Sequence, residues 1–429
     1  MKAVNYAIRY FVLSFFYFLA FFRKKNGLTF IPHADMCIND NYSIINCHSD
    51  NTLSFLNYIL KNGYLKEKTI NIAVSNKNDL KLLDRFISDN YSEYDIRFYK
   101  VFDHLQLSNK DSVMNLLLFY NALSKSSHIF TSQTKRILPL THNRFIKKIN
   151  LGYYSASFKN DVMDSINPYF INYRKVCAKD YDFYICSSNF SILSIYPTFS
   201  IPYHNYLSLG MCRNDYLFSS EDQGQEIKLK FKENVSYDVK TIVLYTPTHK
   251  DYERDLGISA ARELLGFKAN LITLDKFLKS NGILIICKLH PHQNKEVIKK
   301  ALPESIQIFE ANAYFGLSEL MKASDALITD YTSGYYDYLI LDKPVIFNFY
   351  DVELYNETRG FTIMPVETIC AGDIIKSEEE LIYSLSHLDQ NYINNAEKRK
   401  LLKELVFSSQ DSNSCKRVFE YFFSNMSGD

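Results

Sequence analysis

Short apolar runs alternating with helical periodicity from Leu28 onward predict an α/β protein built from two facing Rossmann-like domains with a central cleft. Two further observations shape that expectation. The length of 429 residues is enough for two or three domains, each with its own core. A single polar stretch, SSEDQGQEIKLKFKENVSYD at 219–238, interrupts the alternation and divides the chain. The expected organisation is a membrane-associating segment at 1–26, an N-terminal Rossmann-like domain at 27–218, a linker at 219–239, and a C-terminal Rossmann-like domain at 240–429.

The first segment reads YAIRYFVLSFFYFLAFF from Tyr6 to Phe22 and is followed by Arg23-Lys24-Lys25. Its uninterrupted apolar part, 11–22, is 12 residues, whereas a spanning helix needs about 20. No small-x-small cleavage site follows, so it is a poor signal peptide. Two readings stay open: a short or tilted span, or an interfacial helix with Tyr and Phe at headgroup depth and a basic flank. Both place a hydrophobic helix at a membrane surface, with the basic cluster and the rest of the chain on the cytoplasmic side.

In the first domain the expected strands are 28–31, 69–74, 96–101, 128–131 and 183–187, with amphipathic helices at 51–60 and 113–123 between them. After the polar stretch the pattern restarts with strands at 241–245, 283–288, 306–309, 326–329 and 344–349. Helices at 378–388 and 395–423 close the chain. Such alternation implies right-handed crossovers and parallel sheets.

Composition narrows the function. Hydrophobic residues make up 47% and charged residues 23%, which excludes a disordered or multi-span membrane chain. Lys and Arg number 49 against 48 Asp and Glu, and that balance offers no charge excess for a nucleic-acid partner. Gly is scarce at 13, and neither G-x-G-x-x-G nor G-x-x-x-x-G-K-[ST] occurs. The cysteines (Cys37, Cys47, Cys177, Cys186, Cys212, Cys287, Cys370 and Cys415) contain no C-x-x-C. That spacing fits neither zinc nor a disulfide framework and reads as a reduced interior.

Ligands of open parallel sheets sit beyond the carboxyl ends of the strands, so the residues following each strand are the candidates. After 283–288 comes Leu289-His290-Pro291-His292, a Pro-stiffened His able to donate to a phosphate oxygen; alone it is equally an exposed loop His. His290 and His292 lack a third ligand, so a metal is the poorer reading. After 326–329 comes Asp330-Tyr331-Thr332-Ser333-Gly334, where Thr332 or Ser333 is placed to cap a helix whose N–H groups attract an anion. Taken alone, that is a plain cap. After 241–245 comes Thr246-Pro247-Thr248-His249-Lys250-Asp251, a hydroxyl, an imidazole and a cation, or an ordinary polar turn. Asp180-Tyr181-Asp182 matches D-x-D but leads straight into an apolar strand and reads as structural. Three polar strand-end clusters in one domain suit a nucleotide diphosphate held without a phosphate-binding glycine loop.

Four segments resemble the CDP-glycerol glycerophosphotransferase family of teichoic acid primases and polymerases and their capsule relatives. Gly210-Met211-Cys212-Arg213-Asn214-Asp215 is similar to G-x-P-R-N-D, and Leu244-Tyr245-Thr246-Pro247-Thr248-His249-Lys250-Asp251 to L-Y-A-P-T-W-R-D. Lys288-Leu289-His290-Pro291 is similar to K-x-H-P. Thr329 to Tyr338 resembles S-D-Y-S-S-x-x-x-D-Y, and Leu341-Asp342-Lys343-Pro344, Tyr350-Asp351 and Arg359-Gly360-Phe361 follow in the family's order and spacing. Ala371-Gly372-Asp373 sits where the family has a G-P segment. The similarity runs from about Lys175 to Leu388 and is diffuse before that.

The resemblance implies a GT-B fold, with 27–218 as the acceptor domain and 240–429 as the nucleotide (donor) domain, and an enzyme of the inner face of the bacterial cytoplasmic membrane. It would move glycerol phosphate from CDP-glycerol or a similar CDP-polyol to a lipid-linked or polymeric glycan acceptor, releasing CMP. It implies that His290, Thr332 and Ser333 hold the donor pyrophosphate, with Gly334 in the same turn. Arg213, Thr248, His249, Lys250, Asp351 and Arg359 are the further donor-binding candidates. No cofactor and no metal is expected.

One departure matters. The family's W-H-G-x-P-x-K motif, whose His is its presumed general base, corresponds here to Asn150-Leu151-Gly152-Tyr153-Tyr154-Ser155-Ala156-Ser157-Phe158-Lys159. This alignment puts Tyr154 at the His and Ser155 at the Gly. An ordinary Tyr, with a pKa of about 10, is a poor base at neutral pH. His33, after the first strand, is the replacement to test beside Tyr154; a loop His without a role is the plain alternative. Two other functions compete. A glycosyltransferase using a CMP-sugar (sialic acid or Kdo) would share the H-P element and the Ser/Thr turn, but the Tyr-Asp and Arg-Gly-Phe segments favour polyol phosphate. A non-catalytic donor-binding scaffold rests on the missing His alone.

Overall fold

The computed structural model describes residues 27–31, 50–74, 89–100, 110–132, 146–158, 181–199, 201–220, 224–248, 265, 270–288, 302–309 and 316–424. The expected membrane-associating segment at 1–26 lies outside them. Among the described residues, no helix is long and apolar enough to cross a membrane.

The first sheet contains β1 (Gly27–Ile31), β2 (Thr69–Val74), β3 (Asp95–Lys100), β4 (Ser126–Thr131), β5 (Lys147–Asn150), β6 (Phe183–Cys186) and β7 (Tyr206–Ser208). All pairs are parallel, in the order β3-β2-β1-β4-β5-β6-β7. The second contains β8 (Thr241–Thr246), β9 (Ile283–Cys287), β10 (Ile306–Ile308), β11 (Ala326–Thr329), β12 (Val345–Asn348) and β13 (Asp373–Ile375). It is also parallel, ordered β10-β9-β8-β11-β12-β13. Strands such as β9 (ILIIC) and β11 (ALIT) are buried along their whole length, so they read as unbroken apolar runs rather than alternating ones. In both sheets the order reverses beside the first strand, which places topological switch points at β1/β4 and β8/β11.

The sequence pattern finds ten of these strands and misses β5 (KKIN), β7 (YLS) and β13 (DII). Each is three or four residues with little apolar signal, and each becomes a strand only by pairing on a sheet already formed. Gly372, just before β13, packs so closely on β12 that an added Cβ would meet the Val345 carbonyl oxygen at 2.1 Å. The Ala371-Gly372-Asp373 segment therefore has a packing reason to carry Gly.

The helices in chain order are α1 (Asn51–Lys61), α2 (Lys110–Lys125), α3 (Asn189–Phe199), α4 (Asn214–Phe218), α5 (Gly224–Lys232), α6 (Leu271–Ser280), α7 (Leu317–Ala323), α8 (Gly334–Tyr338), α9 (Val352–Thr358), α10 (Glu378–Ser386), α11 (Leu388–Asn394), α12 (Ala396–Val406) and α13 (Ser414–Phe423). Asp50 caps α1 by accepting from the Leu53 N–H at 3.0 Å.

Packing redraws the expected organisation in three places. The stretch expected as a linker contains α5, which buries Ile227 in the second domain's core and pairs Lys228 with Asp325 at 2.5 Å. The helix expected over 378–388 stops at Ser386, and His387 (φ −126°, ψ 37°) separates α10 from α11. The helix expected over 395–423 is two helices. Phe407 leaves α12 in an extended conformation, and Ser408 donates its N–H to the Ser187 carbonyl at 3.1 Å. After the polar turn, α13 buries Val418 and Phe423 with Leu28, Phe30 and Phe130 in the core of the first sheet. Asp215 fastens its start, accepting from the N–H groups of Ser414 and Cys415 at 2.8 Å each. The last helix of the 240–429 segment thus belongs to the first domain's core.

The described cysteines, Cys186, Cys212, Cys287, Cys370 and Cys415, are buried thiols. Burial pushes the Cys186 and Cys287 thiols up from their ordinary range, so neither is poised as a thiolate.

On β4, His128 is 7% exposed and packs between Phe130 and Phe423. Burial, with Lys147 and Lys68 nearby, lowers its pKa to about 4. Because the folded value lies below the unfolded one, the unfolded chain binds the extra proton. Stability is therefore complete above the unfolded pKa of about 6.5 and is lost as pH falls towards 4. The expected loss is about 3 kcal/mol at full protonation. Thermal unfolding followed from pH 7 to pH 4 should show it, and His128→Phe should remove most of that slope. An unchanged slope in the variant would refute the assignment.

Candidate functional site

The second sheet's switch point is built where β8 and β11 end side by side. Thr246 and Thr329 are register partners, and their hydroxyls lie 3.3 Å apart. The two chains then diverge, and a buried carboxylate ties them together again. Asp330 accepts from the Thr248 N–H at 2.9 and 3.0 Å and from its hydroxyl at 2.6 Å. Thr248 was expected as a donor ligand; its hydroxyl proton points instead to Asp330, and its geometric effect is to fix where the following residues begin. His249 and Lys250 lie outside the described residues, as do His290 beyond β9 and His33 beyond β1.

From Asp330 the chain runs through Tyr331 into the turn Thr332-Ser333-Gly334. Tyr331 is fully buried, stacks on Tyr355 at 4.0 Å and on Phe349 at 5.0 Å, and donates its hydroxyl to Asp351 at 2.8 Å. Asp351 is therefore a buried acceptor that locks the turn's base to α9. Thr332, Ser333 and Gly334 are half-buried. Ser333 stands at the N-cap of α8 without a side-chain capping bond, and the Thr332 hydroxyl accepts from the Gly334 N–H at a long 3.5 Å. A plain helix cap therefore does not account for the Ser333 hydroxyl, and it engages that of Thr332 only through this long bond. Arg359, at the end of α9, is exposed and followed by Gly360 at φ +70°.

A second group of polar residues joins the two sheets. Asp337 on α8 is 5% exposed and accepts from Arg213 through Nη2 at 2.9 Å and Nε at 3.3 Å, and from Asn214 Nδ2 at 3.2 Å. The Ser155 hydroxyl donates to Oδ1 of Asp337, the oxygen that also takes Asn214, in a short hydrogen bond. Arg213 also donates Nη1 to the Tyr153 carbonyl at 2.8 Å, and Asn214 Nδ2 donates to Ser155 Oγ at 2.9 Å. Behind them, Asn51 at the start of α1 accepts from the Arg213 N–H and donates to the Gly152 carbonyl, both at 2.9 Å. Gly152 has φ +85°, and an added Cβ would meet the Ile185 carbonyl at 2.6 Å, so only Gly fits there. The guanidinium of Arg213, expected as a donor ligand, forms an interdomain ion pair instead.

Tyr154 is half-buried against the cluster containing Tyr181, Tyr184, Ile192 and Tyr206, with its ring 4.5 Å from that of Tyr153. Asp330, Asp337, Asn214 and Ser155, which tie these polar groups together, were not among the sequence-based candidates. Their signal was present as two acidic residues inside one short run, Asp330 to Asp337, and as the polar triple Arg213-Asn214-Asp215. Nothing in a sequence tells a buried carboxylate that braces a site from one that touches substrate. Among the described residues, no cluster of His, Cys, Asp or Glu has the makings of a metal site.

A sequence model of the family described as CDP-Glycerol:Poly(glycerophosphate) glycerophosphotransferase matches residues 66–424. The teichoic acid glycerol-phosphate primase of Bacillus spizizenii is 29% identical over 229 residues, 52% of this chain and 55% of that one. The teichoic acid glycerol-phosphate transferase of Staphylococcus aureus is 24% identical over 297 residues, 69% of this chain and 73% of that one. This chain thus spans about half the length of the primase it matches. Among solved structures, the wall teichoic acid polymerase TagF superposes with a TM-score of 0.68 at 21% identity, covering 94% of this chain and 90% of that chain. At that identity the likeness is one of fold.

The Thr248–Asp330 brace is open to test. Thr248→Val keeps the shape and removes a hydrogen bond to a buried carboxylate. The expected cost is about 1.5–3 kcal/mol in urea unfolding. A loss below about 0.5 kcal/mol, the range of a neutral surface change, would show that the brace is energetically idle.

Proposed function

Because the chain belongs to the CDP-Glycerol:Poly(glycerophosphate) glycerophosphotransferase family, we propose that it transfers glycerol phosphate, or a related polyol phosphate, from CDP-glycerol to a teichoic-acid-like or other surface-polysaccharide acceptor. CMP is released. The observation that carries the reading is the second sheet's switch point, where the Ser333 hydroxyl makes no helix-capping bond and the Thr332 hydroxyl accepts only a long one, beside the braced ends of β8 and β11. In this reading the arrangement is GT-B, with the donor in a cleft at the second sheet and the acceptor entering from the first.

The chemistry asked of the residues is modest. An acceptor hydroxyl oxygen attacks the glycerol-bearing phosphorus of CDP-glycerol. A new P–O bond forms, the bond to the CMP oxygen breaks, and the hydroxyl proton is lost. Such transfers depend on positioning and charge stabilisation more than on covalent catalysis. The Thr332 and Ser333 hydroxyls and the Gly334 N–H would donate to the diphosphate, and His290 would offset charge building on the departing CMP. His249, Lys250 and Arg359 would add donors at the rim. Arg213, Thr248 and Asp351 act here through Asp337, Asp330 and Tyr331. His33 and Tyr154 are the two candidates to take the acceptor proton. Residues 6–22 and the basic Arg23-Lys24-Lys25 would hold the enzyme at the cytoplasmic face of the membrane, beside a lipid-linked acceptor.

The test does not depend on the acceptor. Purified protein is titrated with CDP-glycerol, CDP-ribitol, CMP-sialic acid and CMP, and wild type is compared with His290→Ala. The expected result is preferential binding of a CDP-polyol, weakened at least about tenfold by the substitution, in the range of one lost charge-assisted contact. Preference for CMP-sialic acid would replace this reading with a sugar transferase. CDP-glycerol binding without CMP release in the presence of polyglycerol-phosphate acceptor would leave only a donor-binding scaffold.

A further inference from the structure

The segment that carries Tyr154 belongs to the first sheet by sequence, since it follows β5 directly, but to the second by contact. Phe158 lies in the second domain's core, 5.7 Å from the ring of Tyr335 and 5.5 Å from that of Tyr336 on α8. Thr362 donates its N–H to the Phe158 carbonyl at 3.1 Å and its hydroxyl to the Ser157 carbonyl at 2.7 Å. The Ser155 hydroxyl donates to Asp337, while Ser187 of the first domain donates to the Ser155 carbonyl at 2.7 Å. Tyr153 is held through its carbonyl by Arg213, which is bonded to the same carboxylate. Every residue from 153 to 158 except Tyr154 and Ala156 therefore has a named bond or ring contact across the junction or to Arg213, and Ala156 is buried in the second domain's core.

Asp337 is the point where these restraints meet. It sits one helical turn after Gly334, on the element that begins with the Thr332-Ser333-Gly334 turn. Its two oxygens divide the work: Oδ2 takes the guanidinium of Arg213, while Oδ1 takes Ser155 and Asn214. The Ser155 hydroxyl is this chain's own contribution, since the aligned motif has Gly there. We propose that Asp337 is a positioning residue, which through Ser155 and Arg213 holds the 153–158 loop of the acceptor side in fixed register with the 332–334 turn of the donor side. It touches neither substrate. Its effect rests on the transferase reading above, because in-line transfer needs the attacking hydroxyl and the phosphorus held within a few tenths of an ångström of the productive geometry.

The test combines hydrogen exchange, which needs no substrate, with kinetics. Asp337→Asn keeps the shape and removes the charge. Ser155→Ala removes only one donor, leaves the Arg213–Asp337 pair intact, and serves if the first variant does not fold. In both, backbone amides of 151–158 should exchange at least about tenfold faster than in wild type after correction for any loss of global stability, the signature of local rather than global opening. CMP release should fall, at least about thirtyfold in Asp337→Asn and several-fold in Ser155→Ala, while the Kd for CDP-glycerol stays within about twofold. The double variant should be no slower than Asp337→Asn alone, because the hydroxyl then has no carboxylate to position. Unchanged exchange in 151–158 in a folded variant would overturn the proposal, and so would a Kd that rises in step with the lost rate. Wild-type protein that neither binds CDP-glycerol nor releases CMP would refute the transferase reading instead, and the exchange result would still decide whether Asp337 couples the two sides.

Discussion

A carboxylate as buried as Asp337 needs donors to replace the water it has lost, and those donors come from the other half of the molecule. Arg213 stands at the N-cap of α4 and Asn214 begins that helix, and Ser155 lies in the loop after β5. Removing one partner of such a buried pair typically costs about 3–5 kcal/mol, because the remaining charge is stranded. The two sheets are thereby held by a directional contact as well as by apolar packing. Directional contacts fix an angle, which hydrophobic area alone does not.

The Arg213-Asn214-Asp215 triple extends this logic. Arg213 and Asn214 face the second domain, while Asp215 turns the other way and fastens the start of α13 to the first. Burial raises the Asp215 carboxyl above its ordinary range, and the two backbone N–H groups oppose that shift. Three consecutive polar residues thus serve three different elements: α8, the 153–158 loop and the returning C-terminal helix. The buried carboxylates of the donor side follow the same pattern. Asp330 braces Thr248 and Asp351 braces Tyr331, leaving the half-buried hydroxyls of Thr332 and Ser333 at the surface of the turn. The enclosed carboxylates hold the frame, and the partly exposed hydroxyls of the turn are neutral.

Much of the candidate site could be read from the chain, but not the division of labour within it. Thr332, Ser333 and Gly334 were recognisable because strand ends in parallel sheets are where ligands bind, and the strand before them is an unmistakable apolar run. Arg213 and Thr248 were equally visible as residue types suited to phosphate, yet their partners turned out to be Asp337 and Asp330. Those partners lie 124 and 82 residues away. Local pattern carries no information about a contact of that span.

By itself the sequence determined the class of fold, ten of the thirteen described strands and the position of the 332–334 turn. These follow from continuous apolar runs, turn residues and periodicity, all of which act over a few neighbours. The tertiary structure alone decided that β5, β7 and β13 are strands, that 224–232 is a helix packed on the second domain, and that α13 returns to the first. It also decided that the Tyr154 loop is bonded to α8. Each of these depends on burial against a surface made by residues far away in the chain, and the free energy of such burial exists only once that surface has formed.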